Sequence, residues 1–203
     1  MKNQLPGGNN MNKFLVGSIC SALIVLPALA ALEAGSAAPL FEARASLDGE
    51  EFNFSLSTAL EDGPVVVYFY PSAYTQGCNI QAHEFSVNME AFEAAGASVI
   101  GVSLDSIERL NDFSADPDYC AGNLAVASDM TGDVARSYGV SVSDGPPGGF
   151  PDTRGVAIEH GFADRMTFIV TPDGRVAESF GGREVSPYDN VQMSLAAVQQ
   201  LAN

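Results

Sequence analysis

One cysteine, Cys78, occupies a position where a thiol can be chemically reactive. It closes the run Pro71-Ser-Ala-Tyr-Thr-Gln-Gly-Cys78, which follows an apolar segment and leads into a helical pattern. Free N–H groups and the partial positive charge at a helix N-terminus stabilise an anion, so a cysteine in the first helical turn favours the nucleophilic thiolate. Taken alone, the run is equally compatible with a reactive thiol and with a small buried residue that begins the helix.

The segments around Cys78 predict a strand, a turn and a helix. Residues 65–70 are β-branched or aromatic throughout, which is typical of a central strand buried on both faces. Pro71 and Gly77 then allow a sharp bend. An apolar stripe with helical spacing comes next and ends at Gly96, formed by Cys78, Ala82, Phe85, Met89 and Phe92.

The rest of the chain predicts one α/β domain over residues 31–203 with a mixed sheet. Residues 43–55 form a hairpin across Asp48-Gly49, residues 98–104 a second core strand, and residues 165–180 an antiparallel hairpin. The strand, helix and strand from residue 65 to residue 104 have the length of a βαβ unit.

Three further helices are expected. Asp105 and Glu108 have the spacing of a capping box for a helix over residues 106–114. A short helix covers residues 133–138, and Ser186-Pro187 begins a last helix whose apolar face is Val191, Leu195, Val198 and Leu201. Residues 141–161, rich in Gly, Pro and Ser, form a long loop of the kind that often lines a site.

Residues 1–30 differ in composition from the remainder of the chain. Both lysines of the chain lie here, no acid does, and residues 14–30 form an apolar run that ends in small residues. A charged start, an apolar centre and a small-residue end are typical of a secretory signal peptide, with cleavage expected near Ala30/Ala31. A retained membrane anchor and a buried helix are the alternatives.

Cleavage would remove Cys20 and leave two cysteines, Cys78 and Cys120. An even pair in an oxidising compartment is expected to form a disulfide in at least one state. The two cysteines together with His83 and His160 match no common zinc-ligand spacing, so no metal is expected.

The charge of the mature chain limits its partners. Residues 31–203 carry seven arginines against 25 acids, a net charge of −18. Neutralisation of phosphates is implausible for such a surface, so nucleic acid is not expected as a partner. The same scarcity of cations makes each arginine a candidate for a specific role.

The sequence resembles the peroxiredoxin (AhpC/TSA) family, most closely its Q-type, or bacterioferritin-comigratory, subfamily. The motif that carries the resemblance is Pro71-x-x-x-Thr75-x-x-Cys78, followed downstream by Arg165 in Arg-x-Thr-Phe, and the similarity extends from Ala38 to Gly174. The resemblance implies a thioredoxin-like fold and the reduction of hydrogen peroxide and organic hydroperoxides by Cys78 as the peroxidatic cysteine, with no cofactor.

The residue types agree with those roles. A thiolate that attacks an O–O bond must be activated, and the charge that grows on the leaving oxygen must be stabilised. Arg165 is a permanent cation with several donors, Thr75 can direct a hydroxyl and its N–H into the same pocket, and Pro71 shields that pocket from water. The plainer alternatives are a surface salt bridge for Arg165 and a simple helix N-cap for Thr75.

The sequence departs from a common form of the subfamily in its second cysteine. That form has a resolving cysteine five residues after the peroxidatic one, where this chain has His83, which we expect to be partly exposed. Cys120, 42 residues after Cys78, follows a region where other members carry a resolving cysteine. The resemblance therefore predicts a Cys78–Cys120 disulfide intermediate, formed after the first turn around Cys78 unwinds.

The predicted protein is a peroxidase that is exported to a periplasm or a lumen-type compartment and recycled by a thioredoxin-like donor. It is expected to be a monomer or weak dimer with no stable membrane insertion after cleavage. There are two alternatives. One is a one-cysteine peroxiredoxin, and the other is a non-catalytic secreted α/β domain with a structural disulfide between Cys78 and Cys120. A thioredoxin-like disulfide exchanger is disfavoured, because that chemistry normally uses Cys-x-x-Cys and Cys78 is followed by Asn79, Ile80 and Gln81.

Overall fold

The computed structural model describes residues 31–202, so the predicted signal peptide at 1–30 lies outside the described residues. Eleven strands and six helices occur between residues 31 and 202. The strands are β1 (Glu42–Leu47), β2 (Glu50–Ser55), β3 (Val65–Phe69), β4 (Ser98–Ser103), β5 (Ala125–Ser128), β6 (Val142–Ser143), β7 (Phe150–Pro151), β8 (Ala157–Ile158), β9 (Phe162–Ala163), β10 (Met166–Val170) and β11 (Val176–Gly181). The helices are α1 (Leu56–Asp62), α2 (Gln76–Val87), α3 (Met89–Ala94), α4 (Ile107–Ala115), α5 (Asp133–Ser137) and α6 (Pro187–Leu201).

Seven strands form one mixed sheet in the order β11-β10-β3-β4-β5-β1-β2. The three central strands β3, β4 and β5 are parallel, whereas β10 is antiparallel to β3 and β1 is antiparallel to β5. The predicted N-terminal hairpin, β1 and β2, forms one edge, and the hairpin β10 and β11 forms the other. The prediction of an α/β fold with a mixed central sheet is therefore confirmed.

Strand β3 lies in the middle of the sheet because both of its faces are apolar. All five residues of β3 are buried. Val66 and Tyr68 pack into a core cluster that includes buried residues of α2, α4 and α6, whereas Val65, Val67 and Phe69 pack into a second cluster with α1 and α5. This alternation follows from the two-residue period of a strand and gives a sheet covered by helices on both faces.

The helix predicted from Cys78 to Gly96 is two helices, α2 and α3, separated at Asn88. The Asn88 side chain donates a 2.8 Å hydrogen bond to the Glu84 carbonyl oxygen, and so competes with the helical backbone pattern. The predicted apolar stripe is nevertheless buried throughout. The break at Asn88 therefore leaves the buried face of the two helices unchanged.

The capping box predicted for α4 is wrong. Ser106 is the N-cap of α4, and its hydroxyl accepts a hydrogen bond from the Arg109 N–H. Asp105 is fully buried and binds other partners. Local spacing does not distinguish a capping carboxylate from one that the fold places in the interior.

The C-terminal helix α6 begins as predicted. Ser186 is its N-cap, and Pro187 occupies the first turn. Val191 and Val198 are buried, but Leu201 is 45% exposed because it lies at the end of the helix. Among the helices described for residues 31–202, none is long and apolar enough to span a membrane.

Candidate active site

Cys78 lies in the first turn of α2, immediately after the carboxyl end of strand β3. Its side chain is buried, with 2% of the residue exposed. In the preceding turn, Tyr74 has a φ of 60°, a left-handed conformation that is uncommon for a residue with a side chain. The chain therefore changes direction sharply before it enters α2.

Thr75 is the N-cap residue of α2, but its side chain makes no capping hydrogen bond. Instead, Thr75 Oγ1 donates a 2.9 Å hydrogen bond to the Ser72 carbonyl oxygen. The hydroxyl proton is thus already used, which leaves the oxygen lone pairs of Thr75 available as acceptors.

Arg165 precedes strand β10, the antiparallel neighbour of β3, and reaches Cys78 across that strand pair. Its Nη2 atom donates to Cys78 Sγ at 3.4 Å. None of the ion pairs found within the described range includes Arg165, so the surface salt bridge weighed for this residue does not occur there. A permanent cation therefore faces the sulfur without a competing carboxylate.

Arg165 is held in place by a buried polar network that was not recognised in the sequence. Arg165 Nη1 donates to Gln81 Oε1. Gln81 Nε2 donates in turn to Asn190 Oδ1 on α6 at 2.8 Å, and Thr167 Oγ1 donates to the same oxygen at 2.8 Å. Gln81, Asn190 and Thr167 are all fully buried. The position of Gln81, three residues after Cys78 on one helix, could have suggested its role, but no local signal marks Asn190.

A second polar centre lies under the turn that precedes α2, around the fully buried Asp105. Its carboxylate has five partners between 2.7 and 2.9 Å, which are Ser72 Oγ, Ala73 N, Ser103 Oγ, Arg109 Nε and His160 Nε2. Burial alone would raise the pKa of Asp105, but the hydrogen bonds from His160, Ser72 and Ala73 outweigh it and lower that pKa. The ionised carboxylate therefore anchors the turn.

His160 links the predicted long loop to this centre. Its Nε2 atom is 2.9 Å from Asp105 Oδ1, and its Nδ1 atom is 2.7 Å from the Gly161 carbonyl oxygen. Burial favours the neutral imidazole, but the Asp105 carboxylate more than offsets it, so the pKa of His160 is raised. Because both ring nitrogens face acceptors, the protonated ring satisfies both contacts.

Two depressions border the reactive turn on either side of Pro71. One is apolar, has a volume of about 330 Å³ and is lined by Pro71, Thr75, Phe150 and Phe162. The other, of about 390 Å³, includes Arg165, Asp164 and Arg183 in its lining. Pro71, in the turn that precedes α2, therefore lines both an apolar depression and a charged one.

The model of the AhpC/TSA family matches residues 34–179. This chain belongs to the AhpC/TSA family. Peroxiredoxin Bcp of Escherichia coli (strain K12) is 31% identical over 163 residues, a match that covers 80% of this chain and 94% of that protein. The family predicted from the motif is thus confirmed, and the chain is a peroxiredoxin enzyme.

Solved structures agree with the fold of this peroxiredoxin. Peroxidoxin BcpB from Mycobacterium tuberculosis gives a TM-score of 0.67 at 25% identity, covering 84% of this chain and 98% of that chain. The bacterioferritin comigratory protein of Xanthomonas campestris, solved in a study of its alkyl peroxide reduction activity, gives a TM-score of 0.61 at 25% identity, covering 79% and 92%. These similarities support the Q-type subfamily and the thioredoxin-like fold.

The other cysteine among the described residues of the peroxiredoxin, Cys120, lies in the turn between α4 and β5. Cys78 and Cys120 are both buried free thiols in the same core cluster. Burial, reinforced by Asp116, raises the pKa of Cys120 well above its ordinary value, so this thiol stays protonated. Tyr68 packs in the same core cluster as both cysteines, and its burial raises the pKa of its hydroxyl well above the ordinary value.

The segments that carry the two cysteines also contact each other. Ser86 of α2 donates to Asn123 Oδ1 at 2.8 Å, and Asn123 Nδ2 donates back to the Ser86 carbonyl oxygen at 3.3 Å. The Tyr119 ring, next to Cys120, meets the Tyr74 ring edge-on with centroids 5.7 Å apart. His83 is exposed on α2. The reactive turn and the Cys120 turn are therefore neighbouring parts of one surface.

Proposed function

We propose that this peroxiredoxin reduces hydroperoxides through a thiolate at Cys78. The observation that carries the proposal is the 3.4 Å contact from Arg165 Nη2 to Cys78 Sγ at the start of α2. A permanent cation at that distance stabilises the thiolate, and the free N–H groups of the first helical turn act in the same direction. Because a guanidinium has five donors, Arg165 can hold the sulfur and a peroxide oxygen together.

In the first step, the Cys78 thiolate attacks one peroxide oxygen. An S–O bond forms as the O–O bond breaks, the leaving alkoxide takes up a proton to become an alcohol, and the sulfur becomes a sulfenic acid. Arg165 donors stabilise the charge that grows on the leaving oxygen. Thr75 contributes an acceptor for the peroxide O–H, since its own proton is donated to the Ser72 carbonyl oxygen.

Organic hydroperoxides are substrates in this proposal, alongside hydrogen peroxide. The apolar depression beside Thr75 is lined by Phe150 and Phe162, which can cover a hydrocarbon group while the peroxide lies at Cys78. The Xanthomonas campestris relative was solved in a study of its alkyl peroxide reduction activity. Pro71 lines this depression as well and shields the sulfur on that side.

In the second step, Cys120 resolves the sulfenic acid. The Cys120 sulfur attacks Cys78, a disulfide forms, and the sulfenic oxygen leaves as water with the Cys120 proton. The contacts between α2 and the Cys120 turn support this pairing. Both thiols are buried in the reduced protein, and we expect the first turn of α2 to unwind so that the two Cα atoms come within the roughly 7 Å that a disulfide allows.

Intact-mass analysis of the reduced protein after one equivalent of hydrogen peroxide tests both steps. The expected product has lost two hydrogens, and peptide mapping places the disulfide at Cys78 and Cys120. Cys120→Ser should instead gain one oxygen at Cys78. If the wild type also stops at the sulfenic acid with Cys120 free, the enzyme uses one cysteine, and if Cys78→Ser still consumes peroxide, the assignment of Cys78 is overturned.

Export to a periplasm or a lumen-type compartment and recycling by a thioredoxin-like donor complete the proposal. The composition of residues 1–30 supports export, and the two remaining cysteines suit an oxidising compartment. N-terminal sequencing of protein recovered from the host should give Ala31 as the first residue. Trapping of the disulfide-linked donor with a Cys120→Ser or Cys78→Ser variant tests the reductant, and a donor without a thioredoxin-like dithiol would contradict it.

A further inference from the structure

The reactive turn is held from outside at three successive residues, through the side chain of Ser72 and the main chain of Ala73 and Tyr74. Asp105 accepts hydrogen bonds from Ser72 Oγ and from the Ala73 N–H. Arg109 Nη2 donates to the Ala73 carbonyl oxygen at 2.8 Å. The Tyr74 carbonyl oxygen accepts from the segment 152–154, which belongs to the long loop and is distant in sequence.

We call residues Asp152, Thr153 and Arg154 the clasp, because Thr153 contacts the main chain of Tyr74, Arg154 contacts its ring, and Asp152 binds Arg154. Thr153 donates to the Tyr74 carbonyl oxygen through its N–H at 2.8 Å and through Oγ1 at 2.9 Å. Asn79 Nδ2, one residue after Cys78, donates to Thr153 Oγ1 at 3.3 Å. The Arg154 guanidinium carbon lies 3.2 Å from the centroid of the Tyr74 ring, a cation–π contact.

Asp152 connects the clasp to the Asp105 centre. Its side chain is fully buried and accepts hydrogen bonds from Arg154 Nε at 3.1 Å, Arg154 Nη2 at 3.0 Å and Arg109 Nη2 at 2.9 Å. Arg109 in turn pairs with Asp105 at 2.9 Å. The four side chains thus form a network of ion pairs beneath the turn, in which each buried charge has a partner of opposite sign. Its order is Asp105, Arg109, Asp152 and Arg154.

The clasp holds a residue that would otherwise relax. Tyr74 has a φ of 60°, and a tyrosine keeps this conformation only where surrounding contacts impose it. The contacts from Thr153 and Arg154 act on this residue, four positions before Cys78. Release of the clasp would therefore favour unwinding of the turn and of the start of α2.

We propose that the clasp sets the lifetime of the folded reactive turn and so decides how the Cys78 sulfenic acid is consumed. The inference rests on the proposed function, in which Cys78 reacts and Cys120 resolves. While the turn is folded, a second hydroperoxide can oxidise the sulfenic acid to a sulfinic acid and leave as an alcohol. Once the turn unwinds, Cys120 attacks instead, and water leaves. Thr153 and Arg154 act as positioning residues, since they touch neither the sulfur nor the peroxide.

The test compares Arg154→Ala and Thr153→Val with Arg136→Ala, which replaces an arginine that pairs with Asp133 on α5. Hydrogen exchange of amides 72–79 in the reduced proteins should be roughly 3- to 10-fold faster in Arg154→Ala, equivalent to about 0.7–1.4 kcal/mol. The sulfinic acid formed per turnover at high hydrogen peroxide should fall in both clasp variants. Arg136→Ala should match the wild type, and Arg154→Lys, which keeps a cation at the ring, should recover part of the protection.

The inference would be overturned if both clasp variants matched the wild type in the hydrogen-exchange rates of amides 72–79 and in the sulfinic acid formed per turnover. Failure of the proposed function is a separate result, because it would be seen as the absence of a Cys78–Cys120 disulfide in the wild-type protein itself. In that case faster exchange in Arg154→Ala would still show that the clasp holds the turn. The claim that the clasp decides between oxidation of the sulfenic acid and its resolution by Cys120 would be lost.

Discussion

Gln81 Nε2 donates a 2.8 Å hydrogen bond to Asn190 Oδ1, which joins α2 to α6 and fixes the Gln81 carbonyl oxygen toward Arg165. The guanidinium that faces Cys78 is therefore oriented by a buried side chain that is itself held by Asn190. This relationship makes Gln81 a positioning residue for Arg165, since it acts on the sulfur only through the arginine.

Gln81→Met should slow the reaction with hydroperoxide while the fold is kept. Methionine fills a similar volume but offers no comparable acceptor, so Arg165 loses its orientation toward Cys78. We expect the second-order rate constant for peroxide to fall roughly 10- to 100-fold, the range produced by small misplacements of catalytic groups. Stopped-flow measurement gives the rate, and Gln200→Met, at an exposed position of α6, is the matched control. A wild-type rate in Gln81→Met would contradict the assignment.

Gly77→Ala should displace Arg165 and slow the peroxide reaction without lowering the stability of the protein. A Cβ atom at residue 77 would lie 3.1 Å from Arg165 Nη2 and 3.5 Å from Pro187 Cγ, so the flexible guanidinium must move. In a helix, alanine is favoured over glycine by about 1 kcal/mol. We therefore expect an unchanged or higher melting temperature together with a peroxide rate several-fold lower. A lower melting temperature with an unchanged rate would show that Arg165 tolerates the methyl group.

The strands around the site could be predicted because their signals are local. Residues 65–69 are β-branched or aromatic at every position, and such a run is typical of a central strand that is buried on both faces. The hairpin of β10 and β11 was similarly marked by the turn at Pro172-Asp-Gly174. The strand, turn and helix pattern marks Cys78 as a candidate, but only the family motif relates it to Arg165, because no local pattern connects residues 87 positions apart.

The polar centres could not be predicted, since their partners meet only in the folded chain. Asp105 has the same local spacing as a capping carboxylate, and only its burial beside Ser72 and His160 shows its real role. Asn190 lies 109 positions from Gln81 and carries no signal on an otherwise ordinary helix. The clasp could not be predicted for the same reason. Asp152 looks like an ordinary polar residue of a surface loop, and only the folded structure shows that it is buried.

Phe150→Ala should weaken the reaction with bulky organic hydroperoxides more than the reaction with hydrogen peroxide. Phe150 is 49% exposed and lines the apolar depression beside Thr75, so its loss removes surface that a hydrocarbon group would cover. We expect the KM for cumene hydroperoxide to rise roughly 5- to 30-fold, as for the loss of most of one buried apolar side chain. Val87→Ala, which truncates an exposed apolar residue of α2, controls for a general effect on the surface. Equal losses with both peroxides in Phe150→Ala would remove the depression from the proposed site.

The contact between His160 and Asp105 should make stability depend on pH in a defined direction. The pKa of His160 in the folded protein is raised above its ordinary value of 6.5 by Asp105, despite the opposing effects of burial and Arg109. A group with a raised folded pKa stabilises the fold fully below its unfolded pKa, and that contribution is lost as pH rises through the folded value. The pKa values of Asp105 and Asp152 are lowered from their ordinary value of 3.8, so these two carboxylates affect the pH dependence of stability only in acid, at and below that value.

The free energies of unfolding of the wild type and of His160→Gln therefore should differ more at about pH 5.5 than at about pH 8.5. Glutamine can still donate to Asp105, but it carries no charge and cannot satisfy Asp105 and the Gly161 carbonyl oxygen as the imidazolium does. Urea denaturation of reduced protein at both pH values gives the two differences. His83→Gln, which replaces the exposed histidine of α2, should show little change between them. A wild-type advantage that grows toward the alkaline value would mean that His160 stabilises the turn in its neutral form.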